Sequence, residues 1–355
     1  MGKFSKNLFL VALICSAGAA LAQAPPAPTP YTLPPGWIEP GEPRPPYVLP
    51  ETPQGSGPHP AIMVAETIAP GADFVSYYPA SLSQLGGKKL PILVWGNGSC
   101  AYVGNRFRHF LQDIASHDYF VLAGGEMVMD KGEAETIDMS VNPVLTNPDE
   151  PAPAAAPARA APVTAQQNFD QSNDPNRKRV TYELLSKGVD WAIAENKRPG
   201  SKFFGKLDTS HIATMGNSCG GGLASKFAGD RRIKTIGILS SASAALASPA
   251  NADVRRKLTQ PLLLLSGDPR YDPAFWGAIK DYEVLDKAKV FYAWRMNMVH
   301  MGTYRQTNGG ELAPLAEAWL DWQLKGDLTA AKWFTGPKCG LCTNTHYHVR
   351  RRNLS

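Results

Sequence analysis

The chain has 355 residues, 43% of them hydrophobic, and a formal net charge of +5 at pH 7. This length and apolar fraction suit one large α/β domain or two small ones, with a substantial core. The charge is modest and scattered and the chain has no recognisable nucleic-acid-binding module, so nucleic acid is excluded as an expected partner. Three consecutive arginines, Arg350, Arg351 and Arg352, cluster near the C-terminus, and we expect them to form a solvated tail.

The first 22 residues have the pattern of a secretory signal peptide. Lys3 and Lys6 form a short basic head, residues 8–21 are apolar or small, and residues 20–22 read Ala-Leu-Ala, a cleavage pattern. The apolar run is too short to span a bilayer comfortably, which argues against a membrane anchor. We therefore expect a secreted or periplasmic protein with no integral membrane segment after cleavage.

Two segments of low complexity divide the rest of the chain. Residues 23–60 contain 14 of the 31 prolines. Because proline removes backbone donors and fixes φ, we predict a Pro-rich arm here. Residues 141–165 are rich in proline and alanine and are predicted to form a mobile surface insertion. Residues 61–355 are then the expected folded domain, which carries this insertion.

Strand and helix signals alternate through the folded domain. Apolar runs predict strands at residues 90–95, 119–123, 211–215, 235–239, 262–265 and 290–293. Helical spacing of apolar residues predicts helices at 105–117, 180–193, 223–228 and 312–324. This alternation indicates the α/β class, with a mostly parallel sheet covered by helices on both faces.

The strongest local motif is G-x-S-x-G at residues 216–220, with Ser218 at its centre. It lies directly after a predicted strand and directly before a predicted helix. A nucleophile on such a tight turn needs neighbours without a Cβ two residues away on either side, and the following helix directs N–H groups at developing negative charge. A Gly-rich turn with a bystander serine is the alternative. The placement favours Ser218 as a nucleophile.

A serine nucleophile needs a base to take its proton and an acid to orient the base. On a turn of this kind the partners follow in the order serine, acid, histidine. His300 follows the last predicted strand, 82 residues beyond Ser218. The other histidines precede the motif, open its strand or lie near the C-terminus: His59, His109, His117, His211, His346 and His348. His300 is therefore the predicted base.

Two aspartates follow the buried strand at residues 262–265, and either is able to reach a histidine on a neighbouring loop. Asp272 stands where the loop turns back over the sheet edge, and we favour it as the acid. Asp268 follows the strand directly and has the alternative role of capping the loop or pairing with Arg270. Asp268 remains the alternative acid at this point.

Acyl transfer also requires hydrogen-bond donors for the oxyanion. The backbone N–H of Cys219, directly after the nucleophile, is one predicted donor. The loop at residues 96–100, Gly-Asn-Gly-Ser-Cys, follows an earlier strand, and Ser99 is its predicted donor. An ordinary Gly-rich β-to-α turn is the alternative interpretation of this loop.

Four segments resemble secreted α/β-hydrolases of the dienelactone-hydrolase and cutinase-like branch, which includes polyester hydrolases. They read PILVWGNGSC, GKLDTSHIATMGNSCGG, VHMGTY and AWLDWQLKGD. The likeness covers roughly residues 65–345 without the Pro/Ala insertion. It implies the α/β-hydrolase fold, a triad of Ser218, Asp272 and His300, and no cofactor. Asn217 departs from the pattern, since cutinases usually have His there.

The number of residues between the predicted strands 235–239 and 262–265 indicates whether a lid covers the site. Hydrolases of this fold usually insert their lids between the strand after the nucleophile helix and the strand that precedes the acid. Here the interval is residues 240–260, only 21 residues. We therefore expect no large cap domain and an open cleft at the nucleophile.

Four cysteines remain after signal cleavage, an even number in an oxidising compartment, which favours two disulfides. In the α/β-hydrolase fold the loop with Cys100 and the turn with Cys219 are neighbours, so the resemblance implies a disulfide between them. Cys339 and Cys342 are predicted to form the second. Free buried thiols are the alternative for the first pair. For the second, the alternative is half of a zinc site with two nearby histidines; no metal is expected.

These features together predict a secreted serine esterase that hydrolyses carboxylic ester bonds of a small-molecule or polymeric substrate through an acyl-enzyme. A peptidase or thioesterase on the same fold is the alternative within enzymes, because the same triad serves each of them. A non-catalytic hydrolase-like binding protein is the alternative outside them. The ordered set of serine, acid and histidine argues against that last interpretation.

Overall fold

The computed structural model describes residues 52–128, 178–241 and 260–354, and within these ranges nine strands form one sheet. Their bounds are β1 Ala61–Ala69, β2 Ala72–Pro79, β3 Leu90–Gly96, β4 Phe120–Gly124, β5 Leu207–Asn217, β6 Ile233–Leu239, β7 Leu262–Ser266, β8 Val290–Arg295 and β9 Tyr347–Arg352. Their spatial order is β1-β2-β4-β3-β5-β6-β7-β8-β9. The pairs from β4–β3 to β7–β8 are parallel, and β1–β2, β2–β4 and β8–β9 are antiparallel. The predicted α/β class with a mostly parallel sheet is confirmed.

Helices cover both faces of the sheet. Their bounds are α1 Arg108–Ser116, α2 Tyr182–Glu195, α3 Cys219–Ser225, α4 Phe275–Val284, α5 Leu312–Leu320 and α6 Leu328–Ala331. On one face, Leu185 of α2 and Phe275 of α4 join a core cluster with Ile92 of β3. On the other, Phe110 of α1 packs on Trp95 of β3, with ring centroids 5.2 Å apart. Alternate side chains of one strand thus serve both layers.

The central strands are predictable from sequence because they are completely buried. Every residue of β3 and β4 is buried, so their sequences are continuous apolar runs rather than alternating ones. The two N-terminal strands, β1 and β2, were not predicted. β1 forms one edge of the sheet, and its exposure alternates along its length.

Two helix boundaries differ from those predicted by four residues, and the others differ by at most three. α3 begins at Cys219, four residues before the predicted start, because Ser218 is its N-cap and the chain turns into the helix at once. The predicted helix at 312–324 is shorter, since α5 ends at Leu320 and a π-helical turn, Asp321–Lys325, follows.

The three C-terminal arginines do not form a solvated tail, and that expectation is wrong. They belong to β9, whose backbone pairs antiparallel with β8 along six residues. The His348 ring stacks on the Trp294 ring, with centroids 5.1 Å apart. Arg352 donates to the Tyr282 carbonyl at 2.7 Å. An edge strand with charged side chains is a common way to close a sheet without inviting aggregation.

Several predicted segments lie outside the described residues: the signal peptide 1–22, most of the arm 23–60, the insertion 141–165 and most of the interval 240–260. The end of the arm is described, and it packs against α1. The Ser56 N–H donates to Asp113 Oδ1 at 2.7 Å and the Gly57 N–H to Ser116 Oγ at 2.9 Å. In the part of the chain that the structure describes, no helix has the length and apolar character needed to cross a bilayer.

Candidate active site

The order of the strands reverses between β3 and β5. The chain proceeds from β3 to β4 on one side of the sheet, and β5 lies on the other side of β3. In open α/β sheets, ligands bind at such a point, in the crevice outside the carboxyl ends of the strands. The loop after β3 and the turn after β5 meet here.

Ser218 occupies the turn between β5 and α3 in a strained conformation. Its φ is 53° and its ψ is −125°, a region that non-glycine residues rarely adopt. The flanking glycines are required by close packing. A Cβ on Gly216 would collide with the backbone of Gly220, and a Cβ on Gly220 would collide with the carbonyl of Gly96. The motif is thus a tight strand-to-helix turn that presses on the end of β3.

His300 and Asp272 form a hydrogen-bonded pair at the same edge of the sheet. His300 Nδ1 lies 2.7 Å from Asp272 Oδ1. Asp272 is fully buried, whereas the His300 side chain is 16% exposed. Asp272 also accepts the backbone N–H groups of Gly267 at 2.6 Å and Ala274 at 2.9 Å. These donors fix the carboxylate, which in turn orients the imidazole.

Asp268, the alternative acid, has other partners. Arg270 binds its two carboxylate oxygens at 2.9 and 2.6 Å, and the Asn297 N–H donates to it at 2.7 Å. Burial works to raise the pKa of Asp268, but these hydrogen bonds outweigh burial and the pKa lies below its ordinary value. Asp268 therefore links the loop after β7 to the loop after β8. Asp272 is the aspartate that contacts His300.

Ser218 is not hydrogen-bonded to His300. Among the described residues, neither the Ser218 hydroxyl nor His300 Nε2 has a hydrogen-bond partner. The structure thus brings together two of the three predicted triad residues and leaves the third at the same edge of the sheet. Catalytic hydrogen bonds are often long without substrate and shorten in the bound complex.

The two predicted oxyanion donors are available. Within the described ranges neither the Ser99 N–H nor the Cys219 N–H has an acceptor. Ser99 and Cys100 both have positive φ, 57° and 48°. The predicted Cys100–Cys219 disulfide is confirmed, with a Cα–Cα distance of 5.2 Å, and it joins the residues that directly follow Ser99 and Ser218.

Asn97 is a site residue that sequence reasoning missed. Its buried side-chain amide donates to the carbonyls of Gly124 at 2.7 Å and Val103 at 3.0 Å. These bonds hold the strained loop after β3 against the end of β4. The one available signal is an Asn directly after a buried strand in a Gly-rich loop, and it is insufficient because the partners of the side chain are distant in sequence.

Two further groups of residues offer possible metal ligands. Cys339 and Cys342 form the second predicted disulfide, with a Cα–Cα distance of 4.9 Å, so their thiols are not free to bind zinc. Asp113, His117 and Glu317 have ligand atoms within 4.8 Å of one another. That group is already internally paired, since His117 Nδ1 lies 2.5 Å from Glu317 Oε1.

No protein-family model matches this chain, and no curated protein matches it. The resemblance to the dienelactone-hydrolase and cutinase-like branch therefore depends on the sequence segments alone and stays a prediction. The geometry at the carboxyl edge of the sheet is independent of that resemblance.

Proposed function

We propose that this protein is an exported serine esterase of the α/β-hydrolase fold that hydrolyses carboxylic ester bonds without a cofactor. One observation carries the proposal. The strained Ser218 lies at the point where the strand order reverses, on the same edge of the sheet as the buried Asp272–His300 pair. Strain of this kind is maintained at functional sites, where the surrounding structure compensates for it.

In the acylation step, Ser218 Oγ attacks the ester carbonyl carbon and its proton moves to His300 Nε2. His300 Nδ1 faces Asp272, so Nδ1 carries the proton that Asp272 accepts, and Nε2 is left free as the base. The buried carboxylate stabilises the imidazolium that forms. The imidazolium then protonates the leaving alcohol, and the acyl group stays on Ser218.

In the deacylation step, water attacks the acyl-enzyme and gives its proton to His300 Nε2. The tetrahedral intermediate collapses, the proton returns to Ser218 Oγ, and the carboxylic acid leaves. In both steps the negative charge develops on the former carbonyl oxygen. The free N–H groups of Ser99 and Cys219 are suited to bind that oxygen.

The finer fold assignment has its own support. The nucleophile on a strand–turn–helix, the oxyanion loop after an earlier strand and the order serine, aspartate, histidine along the chain are typical of α/β-hydrolases. The two disulfides are consistent with an oxidising compartment, as the predicted signal peptide requires. A small-molecule or polymeric ester is the proposed substrate.

The test is covalent labelling with a fluorophosphonate, followed by mass-spectrometric mapping of the labelled residue. We expect the wild-type chain to be labelled at Ser218 and Ser218→Ala to be unlabelled. The same pair is then assayed on p-nitrophenyl esters of increasing acyl length, with a thioester and a peptide anilide in parallel. Ester turnover is expected to exceed turnover of the other two substrates.

The matched control is Ser83→Ala, since Ser83 is an exposed serine far along the chain from the motif. It should keep both labelling and turnover. Labelling at another serine, or near-normal turnover in Ser218→Ala, would refute the proposed mechanism. Faster cleavage of the anilide or thioester would leave the proposed triad in place but refute the ester as the preferred substrate class.

A further inference from the structure

The loop that carries His300 is closed at its base by an ion pair. The loop connects β8, which ends at Arg295, to α5, whose N-cap is Glu311. Arg295 Nε lies 2.5 Å from Glu311 Oε1, and Arg295 Nη2 donates to Glu311 Oε2 at 3.4 Å. A planar guanidinium that meets both oxygens of a carboxylate fixes orientation as well as distance. The two ends of the loop are therefore held together.

The middle of the same loop is attached to the N-terminus of α5. The Thr303 hydroxyl accepts the N–H of Leu312, the first residue of α5, at 3.2 Å and donates to the Gly309 carbonyl at 2.8 Å. The first N–H groups of a helix have no partner within the helix, so the loop satisfies one of them. The contact is close, since a Cβ added to Gly310 would lie 2.6 Å from Thr303 Cβ. The loop thus folds back onto the helix that it precedes.

His300 lies between two fixed points of this loop. Before it, the Met298 carbonyl accepts a backbone N–H from the loop after β7 at 2.9 Å. After it, Thr303 contacts α5. Between these points the Gly302 N–H donates to the Val299 carbonyl at 2.9 Å and closes a turn that contains His300. The backbone position of His300 depends on both attachments.

The proposed chemistry requires this backbone to be fixed. The bond from His300 Nδ1 to Asp272 Oδ1, at 2.7 Å, holds one ring nitrogen, but a ring held at one atom is still able to pivot about it. Fixing the backbone as well defines where Nε2 lies. A displacement of about 1 Å at a reacting group costs up to about a hundredfold in rate.

We propose that Thr303 and the Arg295–Glu311 pair are positioning residues that keep His300 Nε2 within reach of Ser218. They act on His300 through the backbone of the loop and not through the ester. This inference rests on the proposed esterase function and specifies how its base is held.

The test compares variants of the full chain that keep the shape of each side chain. Thr303→Val removes the hydroxyl, and Glu311→Gln removes the charge that binds Arg295. Each should lower kcat by about tenfold with KM unchanged, because a supporting hydrogen bond or ion pair is lost. Fluorophosphonate labelling of Ser218 should slow in parallel. Thr303→Ser keeps the hydroxyl and should retain kcat within about threefold of the wild type.

The matched controls change the same residue types elsewhere. Thr335 is half-buried like Thr303, and its hydroxyl donates to the Ala331 carbonyl at 2.9 Å. Glu195, at the end of α2, accepts two hydrogen bonds from Arg198, at 2.8 and 2.5 Å. Thr335→Val and Glu195→Gln should lower the melting temperature and keep kcat.

A spectroscopic measurement separates positioning from folding stability. The proton between His300 Nδ1 and Asp272 should give an NMR resonance downfield of the amide region, assigned by its absence from His300→Gln. We expect Thr303→Val and Glu311→Gln to shift or broaden this resonance. Thr303→Ser and the two control variants should leave it unchanged.

Two results would overturn the positioning role. One is a kcat and a downfield resonance in Thr303→Val and Glu311→Gln that match those of the controls. The other is a Thr303→Ser variant as impaired as Thr303→Val, because the hydroxyl would then not be the group responsible. Absence of ester turnover in the wild type would refute the proposed function instead, and the resonance would still show whether these contacts position the imidazole.

Discussion

The two edges of the parallel sheet differ in how their strained and polar groups are partnered. At the carboxyl edge, Ser99, Cys100, Ser218 and Ser240 have positive φ. The N–H groups of Ser99 and Cys219 lack acceptors in the described chain. Strain and unpaired donors therefore coincide at this edge.

At the amino edge, the end of α1 carries ionisable groups that have found partners. His117 Nδ1 lies 2.5 Å from Glu317 Oε1. Asp118 also has a positive φ, but its carboxylate pairs with His59 at 2.6 Å. The difference teaches that strain alone does not mark a functional site. Strain beside N–H groups that lack a protein acceptor is the combination on which the proposed function rests.

The largest expected effect separates the two aspartates of the carboxyl edge. Asp272→Asn should lower kcat for ester hydrolysis by about three to four orders of magnitude, because the imidazole loses its orienting carboxylate. Asp268→Asn should keep kcat near that of the parent and destabilise the fold by about 3 kcal/mol, because Arg270 loses a buried partner. Steady-state kinetics and urea unfolding of both variants measure this. A larger kcat loss in Asp268→Asn would contradict the assignment.

The next largest expected effect is the loss of folding stability when either disulfide is removed. Replacing Cys100 and Cys219 by alanine removes a link between residues 119 apart in sequence, which costs about 4 to 5 kcal/mol by loop closure. The matched Cys339/Cys342 alanine pair removes a link between residues three apart and should cost only about 2 kcal/mol. Denaturant unfolding measures both losses. Only the first pair should also lower kcat, since it joins the loop of Ser99 to the turn of Ser218, which carry the two proposed oxyanion donors. Equal kcat in both double variants would contradict that role.

Two glycines of α3 test the tight contact with β3. Gly220→Ala should destabilise the fold by about 3 kcal/mol or more, because its Cβ would collide with the Gly96 carbonyl. Gly222 lies on the same helix, and a Cβ added there would meet nothing within 4 Å, so Gly222→Ala should be neutral or stabilising by up to about 1 kcal/mol. Thermal unfolding of the two variants gives the contrast. Similar losses in both would mean that α3 does not press on β3.

The smallest expected effect is the pH-dependent stability that His117 contributes at the amino edge of the sheet. Burial works to lower the pKa of His117, but the hydrogen bond and charge of Glu317 outweigh burial and raise the pKa above its ordinary value, with Asp113 and Asp321 adding to the rise. A raised folded-state pKa contributes stability that is complete below about pH 6.5 and is lost as pH rises through the folded pKa.

The measurement is the melting temperature between pH 6 and pH 9. Between pH 6 and pH 9 the melting temperature of the wild type should fall by a few degrees more than that of His117→Gln. His346→Gln, which replaces an exposed histidine, should follow the parent. If His117→Gln showed the full pH dependence of the parent, the His117–Glu317 pair would contribute no pH-dependent stability.

The sequence predicts the central strands well and the edge strands poorly, for a physical reason. β3 and β4 are buried on both faces, so their apolar runs are unmistakable. β9 contains three arginines because one side of an edge strand faces solvent, and its strand character depends on pairing with β8. A single sequence does not reveal that partner.

The candidate site divides in the same way. Ser218 and His300 follow from a local motif and from chain order. The preference for Asp272 over Asp268 agrees with the geometry, but one loop carries both aspartates, and only its conformation shows which of them contacts His300.

The connectivity of the cysteines has a consequence for how the protein matures. The four cysteines that follow the predicted signal peptide allow three connectivities. The observed one joins Cys100 to Cys219 and Cys339 to Cys342, which are consecutive cysteines along the chain. An oxidase that acts while an exported chain emerges N-terminus first joins each cysteine to the next. For the proposed exported protein we therefore expect native linkages to form in order of emergence, with a thiol oxidant and without a disulfide isomerase.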